Sequence, residues 1–280
     1  MLLKSVYLDA LRTREQKISR LKDSNYEAIA REANASWNRY MPIPCQCQSA
    51  GVDSSWNKRA YQGLNLYVID AVAVSSTNDI IASEYDDDIS ESARNESLEA
   101  KAMGMEASVT RSASETGKVD VVCVDGSIIA RLNKKAAGAT FDEAKKYSGS
   151  VFVAKSSESR AQFGPLGSRA GDIFYYNRVS NSSAGYSTPS GISTPYGRIT
   201  EVYARLRENT PMIRLEFLGE TGDSEVTAML DRLCYHSVAG YPYCLKLAHN
   251  TCKISDEDID RIASIFSLQN EHGARDALNE

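Results

Sequence analysis

Four residues stand where their types and spacing could do chemistry. Asp70 closes the apolar run Leu64-Asn-Leu-Tyr-Val-Ile-Asp70, and Asp125 closes Val119-Asp-Val-Val-Cys-Val-Asp125. Far downstream, the segment Ala239-Gly-Tyr-Pro-Tyr-Cys-Leu-Lys-Leu-Ala-His249 supplies Tyr241 and His249. Carboxylates delivered by β-rich runs are held on a rigid scaffold, and hard oxygen ligands fixed close together suit Mg²⁺ or Mn²⁺, ions that activate water against a phosphodiester. An aspartate after a strand is also a common turn residue or helix cap, so the reading rests on the set and its order rather than on any one member.

A third carboxylate is expected between the two aspartates. The stretch Ile89 to Glu115 is rich in Glu, Ala, Lys, Met and Ser and has no proline, which predicts a helix with Gly104 as its weak point. Glu106 lies far enough before Asp125 to leave further helical turns and a connection back to the strand, and Glu99, two turns earlier on the same face, is the reserve candidate. The three consecutive acids Asp86-Asp87-Asp88 point in different directions and suit a solvated helix start better than a shared ion.

The elements that must position these residues follow from periodicity. Apolar residues recur at helical spacing from Leu3 through Tyr7, Leu11, Ile18 and Leu21, predicting a long amphipathic helix that runs toward Trp37 and stops before Met41-Pro-Ile-Pro44. A polar stretch leads to Gly63 and a first strand over 64–74, with a second strand over 79–85. Val119 to Val124 is predicted as a buried central strand and Ser150 to Ala154 as another, with a helix around Phe141 to Tyr147 between them. The Ser, Gly, Pro and Tyr-rich stretch from Ser156 to Pro195 is too long for a simple connection and reads as an ordered functional loop with short strands. Strands over 198–207 and 212–218 form a hairpin through Asn209-Thr-Pro211, Ser224 to Val238 is an amphipathic helix, and Ser255 caps a last helix. The whole is expected to be an α/β fold in one domain over 1–280, with a helical and extended segment over 1–62 before the core over 63–280.

Composition narrows the setting. Hydrophobic content of 42% and charged content of 25% are those of a globular protein. No apolar run approaches the ~20 residues that span a bilayer, and the start Met1-Leu-Leu-Lys4 lacks a secretory apolar core, so a cytoplasmic location is expected. The net charge of −5 means that a polyanionic partner must be met by a local basic groove. Lys155, with Arg160 and Arg169 in the following loop, supplies the candidate phosphate contacts. Six cysteines form no paired zinc spacing and are expected to be buried thiols, with Cys45-Gln-Cys47 the one close pair.

The order strand, strand, helix with acids, buried strand is that in which ribonuclease-H-like nucleases supply their metal ligands. More specifically, the chain resembles the NurA family of archaeal and bacterial nucleases. Ala239 to His249 followed by Lys253-Ile-Ser-Asp-Glu-Asp258 is similar to the family's GYPYPL…AH signature and the helix after it. Val124-Asp-Gly-Ser127 is similar to its second Asp-Gly strand end, Val153-Ala-Lys155 to its strand-borne lysine, and Gly171-Asp-Ile-Phe-Tyr175 with Gly185-Tyr186 to its middle loop. The resemblance implies a ribonuclease-H-like mixed sheet flanked by helices and a Mn²⁺-dependent activity on DNA, Mg²⁺ being the alternative ion. It also implies a homodimer and a HerA-type hexameric ATPase and translocase as partner.

On this resemblance the chain is a nuclease of the 5′-to-3′ exonuclease and single-strand endonuclease type. It would process double-strand break ends, contact single-stranded and duplex DNA, and associate with the nucleoid. The implied catalytic set is Asp70, Glu106, Asp125, Tyr241 and His249. Asp70, Glu106, Asp125 and His249 are the implied metal ligands, and Tyr241 is an implied contact to nucleic acid. Two departures are plain: the family's first strand ends Asp-Gly-Ser where this chain reads Asp70-Ala71-Val72, and Cys244 replaces proline in the signature. The first departure keeps open an alternative, a non-catalytic DNA-clamping adaptor of the translocase. A ribonuclease H acting on hybrids is disfavoured by the Gly240 to His249 segment.

Overall fold

The computed structural model describes residues 4–20, 25–132 and 150–268. The strands are β1 (Trp37–Arg39), β2 (Ser49–Tyr61), β3 (Leu64–Ser75), β4 (Ile80–Ser90), β5 (Val121–Asp125), β6 (Ser150–Ala154), β7 (Gly185–Ser187), β8 (Ser190–Thr194), β9 (Gly197–Arg205), β10 (Ile213–Leu218), β11 (Ser237–Val238) and β12 (Tyr241–Pro242). The helices are α1 (Lys4–Ser19), α2 (Tyr26–Ala35), α3 (Asn95–Glu115), α4 (Ile128–Leu132), α5 (Asp172–Val179), α6 (Asp223–Tyr235), α7 (Tyr243–Cys252) and α8 (Asp256–Ile265).

One mixed sheet organises the molecule, in the order β1-β7-β9-β10-β6-β5-β2-β3-β4, with β8 added beside β9. β2, β3 and β4 form an antiparallel meander, after which α3 returns the chain so that β5 runs parallel to β2 and β6 parallel to β5. This is the ribonuclease-H-like arrangement expected from the order of elements. Helices cover both faces. Val52, Ile69, Ala71, Ala73, Val122, Val124 and Phe152 pack against Leu98, Ala102, Met105 and Val109 of α3. On the other face Val121, Cys123, Val151, Val153 and Leu215 meet Val226, Leu230 and Leu233 of α6 and Leu245 of α7. Alternate residues of each strand therefore serve different helices, as the period-2 geometry of a strand requires.

β5 and β6, apolar apart from Asp125 and Ser150, form as the buried strands expected; β5 starts two residues later than expected, and β6 keeps the expected bounds over 150–154. β9 and β10 pair as the expected hairpin, with Asn209 at positive φ in its turn, and Ser255 accepts the backbone N–H of Asp258 to cap α8. Other expectations are corrected. The N-terminal amphipathic segment is two helices, α1 and α2, rather than one continuous helix. α1 turns Val6, Tyr7, Leu8 and Leu11 to solvent, while α2 buries Ile29 and Ala33.

The polar stretch before Gly63 is a 13-residue strand, β2, paired with β3 along its length and with β5 from Ser49 to Val52. Asp86 to Asp88 lie within β4 rather than at a helix start. The segment over 156–195 holds α5 as well as short strands. The expected helix over 141–147 lies outside the described residues. Cys45 is exposed, and the other five cysteines are buried as expected.

One close approach fixes the geometry on which the site depends. A Cβ on Gly51 would lie 2.3 Å from the backbone carbonyl of Cys244. Glycine in β2 thus lets the start of α7 sit directly on the sheet, which sets the height at which His249 leaves the helix one and a half turns later.

Candidate active site

The acids gather where β2 and β5 run side by side. Val52 pairs with Val124, so the next residues, Asp53 and Asp125, are neighbours in the parallel register. Both face α7. On that helix Leu245, Ala248 and Cys252 are buried against the sheet, and His249 stands at the edge of this apolar stripe with its ring free to reach the acids. His249 Nδ1 lies 2.8 Å from Asp53 Oδ2, and Asp53 Oδ1 accepts the backbone N–H of Ser54 at 2.8 Å. Asp53, Asp125 and His249 each offer one ligand atom, and those atoms lie within 4.8 Å of one another. Two hard carboxylate oxygens and an imidazole nitrogen at this separation fit a divalent ion such as Mn²⁺ or Mg²⁺.

The electrostatics agree with that fit. Burial, and next the neighbouring charge of Asp125, push the Asp53 carboxyl up to about 6 against the opposing hydrogen bond from His249. A cation placed between the two acids would remove that repulsion. Asp125 is held from two further sides: the Tyr241 hydroxyl donates to Oδ1 at 2.9 Å, and Lys155 Nζ lies 3.3 Å from Oδ2. Burial and the charge of Asp125 drive the Tyr241 phenol far above its ordinary value, so it keeps its proton and acts as a donor. Lys155 Nζ also stands 5.1 Å from the centre of the Tyr241 ring. Beside this group opens a cavity of about 280 Å³ lined by Lys155, Val238, Tyr241, Tyr243, Lys246 and His249.

Glu106 approaches from the opposite face of the sheet. Ser54, the neighbour of Asp53, points to α3, and its hydroxyl donates to Glu106 Oε1 at 2.6 Å. Glu106 Oε2 pairs with the guanidinium of Arg131, whose other nitrogen donates to the backbone carbonyl of Asp125 at 2.6 Å. Gly126 makes room for this. It takes a φ of +92°, and a Cβ there would lie 3.3 Å from Arg131.

The expected residues therefore divide. Asp125, Tyr241, His249 and Lys155 are brought together, and Glu106 reaches the same region through Ser54 and Arg131 without joining the ligand group. Asp70 does not take part. It lies opposite Ser55, two residues along β3 from the position opposite Asp53 and one strand further from β5. Burial raises its carboxyl, and only the following Ala71 N–H opposes that rise. The place expected for Asp70 is held by Asp53, because β2 rather than β3 is the strand beside β5. Glu99 is half-buried on α3 and enters none of the contacts described above. Arg160 and Arg169 are exposed on the segment after β6 and form no ion pair to the Asp53, Asp125 and His249 group among the described residues.

Asp53 was missed because its strand carries a weak apolar signal. Ala50-Gly51-Val52 is followed at once by Asp53-Ser-Ser and by Trp56-Asn-Lys-Arg59, which reads as polar coil. The usable signal was local similarity: Val52-Asp53-Ser54-Ser55 parallels Val124-Asp125-Gly126-Ser127 far better than Asp70-Ala71-Val72 does. Arg131 carried no motif.

Comparison with known proteins fits this geometry. The chain is similar in structure to the NurA nuclease from Sulfolobus solfataricus, with a TM-score of 0.81 at 18% identity, covering 98% of this chain and 99% of that one. It is also similar to NurA bound to dAMP and manganese, with a TM-score of 0.72 at 12% identity over 100% of both chains. A NurA structure with manganese gives a TM-score of 0.71 at 11% identity, covering 93% of this chain and 98% of that one. At these identities the likenesses establish the fold. No curated protein sequence matches the chain. Residues 47–254 match the NurA domain, a span that begins just before β2 and ends after α7, and the chain belongs to the NurA family.

Proposed function

We propose that this protein is a metal-dependent DNA nuclease whose centre is Asp53, Asp125 and His249, with Mn²⁺ as the working ion and Mg²⁺ as the alternative. The observation that carries the reading is the convergence of those three ligand atoms at the β2 and β5 strand ends, beside a cavity with two lysines at its rim. A bound divalent ion supplies an activated water and neutralises charge on the scissile phosphate. The chain's own residues do the rest. Tyr241 holds Asp125 by donating to one carboxylate oxygen, which fixes the direction of the other. Lys155 and Lys246 attract the phosphate backbone, and the aromatic and aliphatic wall of the cavity receives a base or sugar. The likeness to a NurA structure with dAMP and manganese supports this class of substrate and ion.

The finer reading is that of a nuclease with 5′-to-3′ exonuclease and single-strand endonuclease action on break ends. It works as a cytoplasmic, nucleoid-associated homodimer with a HerA-type hexameric ATPase, and the segment over 156–195, with Arg160 and Arg169, faces a shared DNA channel. The family membership supports it, and no helix among the described residues is long and apolar enough to cross a membrane. The adaptor alternative loses its motive, since the departure at Asp70-Ala71-Val72 lies outside the ligand group. The test is cleavage of end-labelled single-stranded and duplex DNA with Mn²⁺, with chelator, and with Asp53→Asn and Asp125→Asn. Cleavage only with the ion and the intact acids is expected. Cleavage that survives chelator or either substitution would end the proposal. A monomer in sedimentation at micromolar concentration would overturn the dimer.

A further inference from the structure

Two thiols that the nuclease reading leaves unused lie beneath the candidate centre. Cys123 is buried on β5 two residues before Asp125, and Cys244 is buried in the first turn of α7, between Tyr241 and His249. The sheet seats one beside the other. Cys123 pairs with Gly51 across β5 and β2, and Gly51 is the residue whose missing Cβ leaves room for the Cys244 carbonyl. There the Cys123 thiol donates a hydrogen bond to the Cys244 sulfur.

The other buried cysteines are placed differently. The thiols of Cys47, Cys234 and Cys252 each donate to a backbone carbonyl, those of Arg232, Leu206 and His249, at 3.6, 3.9 and 3.7 Å. Position 244 is also where this chain departs from the proline of the family signature, so the second sulfur belongs to this sequence rather than to the shared motif. The cavity beside the acids is lined by Tyr243, the neighbour of Cys244, which gives a small oxidant an approach to that sulfur.

We propose that Cys123 and Cys244 are a modification site: an oxidisable dithiol that closes into a disulfide joining β5 to α7 when hydrogen peroxide reaches it. The Cys244 sulfur attacks one peroxide oxygen, the O–O bond breaks, and the departing hydroxide takes up the thiol proton as water, leaving a sulfenic acid. The Cys123 sulfur then attacks the Cys244 sulfur, the S–O bond breaks, and the second hydroxide leaves as water with the Cys123 proton. Two thiols lose two electrons, and one peroxide becomes two waters. A reducing interior keeps the pair as thiols. Once closed, the bridge spans about 120 residues of chain, and cross-linking a loop of that length strongly restricts the unfolded state. It also ties the strand that ends in Asp125 to the helix that carries His249.

The test oxidises the full wild-type chain with hydrogen peroxide, quenches with catalase, blocks the remaining thiols and maps the peptides without reductant. A linked pair of the Cys123 and Cys244 peptides, lighter by two hydrogens than the two apart and released by dithiothreitol, is expected. The urea midpoint of the oxidised chain should rise by about 1 M and return to its starting value with reductant. Cys123→Ala and Cys244→Ala should each abolish both the linked pair and the rise.

Peroxide that leaves both peptides unlinked, carries either cysteine to a sulfinic or sulfonic acid, or joins either of them to Cys47 would overturn the proposal. A linked pair with no rise in the midpoint would overturn the stabilising role. If an alanine variant does not fold, the peptide map and the midpoint of the wild type, with and without reductant, still decide. Mn²⁺-dependent cleavage enters none of these readouts, so failure of the nuclease reading would leave this test intact.

Discussion

Two buried charge clusters lie within one sheet and behave in opposite ways. On β9 and β10, Arg214 bridges Glu201 and Glu216 at 2.5 and 3.0 Å, with side chains only 5%, 0% and 1% exposed. Gln162 adds a donor to Glu201, and Ser127 and the Ile129 N–H complete Glu216. At the ends of β2 and β5, the groups facing Asp125 and Asp53 are the Lys155 ammonium and the His249 ring, which are 50% and 54% exposed. The first cluster is closed to solvent: its charges are paired with one another, although Arg214 Nε finds no hydrogen-bond acceptor among the described residues. The second is left short of positive charge and open on one side. Charges paired with one another away from water lock a fold, whereas carboxylates short of positive charge beside a cavity are where a ligand's charge is wanted.

The sharpest way to break this contrast is Asp53→Asn. It keeps the shape, removes one ligand charge, and should reduce Mn²⁺-dependent cleavage to background while also removing the thermal stabilisation that Mn²⁺ gives the wild type. Scanning calorimetry with and without the ion checks the second part. Retention of Mn²⁺ stabilisation would mean that the ion sits elsewhere.

In the closed cluster the cost falls on folding instead. Arg214→Met strands two buried carboxylates and should destabilise the chain by about 3–5 kcal/mol. The loss should be the same whether or not Mn²⁺ is present, as read by urea unfolding. A variant as stable as the wild type would show that the cluster is not closed.

A smaller effect separates the clusters by pH. The folded Asp53 carboxyl titrates near 6, above its ordinary value of 3.8, so the folded state holds its proton more tightly than the unfolded chain does. Stability of the metal-free protein should therefore be greatest at and below pH 4 as far as this group is concerned, and should fall between about pH 4 and pH 6 by roughly 1–2 kcal/mol once solvent near the site is allowed for. Asp172 is also pushed up to about 6, by burial, and contributes in the same window. The difference between the wild type and Asp53→Asn isolates the share of Asp53. A slope identical in both would place the titration outside the site.

How much of this was legible in the sequence depends on which residues carry their own signal. Val121 to Val124 announces a buried strand because all four apolar side chains lie in the core, and it delivers Asp125 at its partly exposed end. Tyr241 and His249 travel together on one turn and helix, so a local motif keeps them together in space. Asp53 had no such help: the second half of its strand is only partly buried and carries polar residues, its far end packing on α8 through Tyr61, and its partner β5 comes more than sixty residues later. Which of two neighbouring strands lies beside β5 is a matter of long-range pairing, and periodicity does not report it. Arg131 and the Arg214 cluster were invisible for the same reason, since each links residues distant in sequence that only the folded sheet brings into contact.

The smallest expected effect is the one that tests this correction most directly. Asp70→Asn replaces a half-buried carboxylate whose charge is opposed by burial and supported by the following backbone N–H alone. An amide of the same shape still accepts that hydrogen bond and removes the desolvation cost, so stability should change by no more than about 0.5 kcal/mol, toward the more stable side above neutral pH. Mn²⁺ affinity and cleavage should stay within about threefold of the wild type, the residual change reflecting one lost charge a strand away from the ion. Asp53→Asn and Asp70→Asn, measured side by side, thus set two aspartates on adjacent strands of one sheet face against each other. If Asp70→Asn abolished cleavage while Asp53→Asn spared it, the first strand of the catalytic sheet would be β3 after all, and the parallel pairing of β2 with β5 would not be the arrangement that works on DNA.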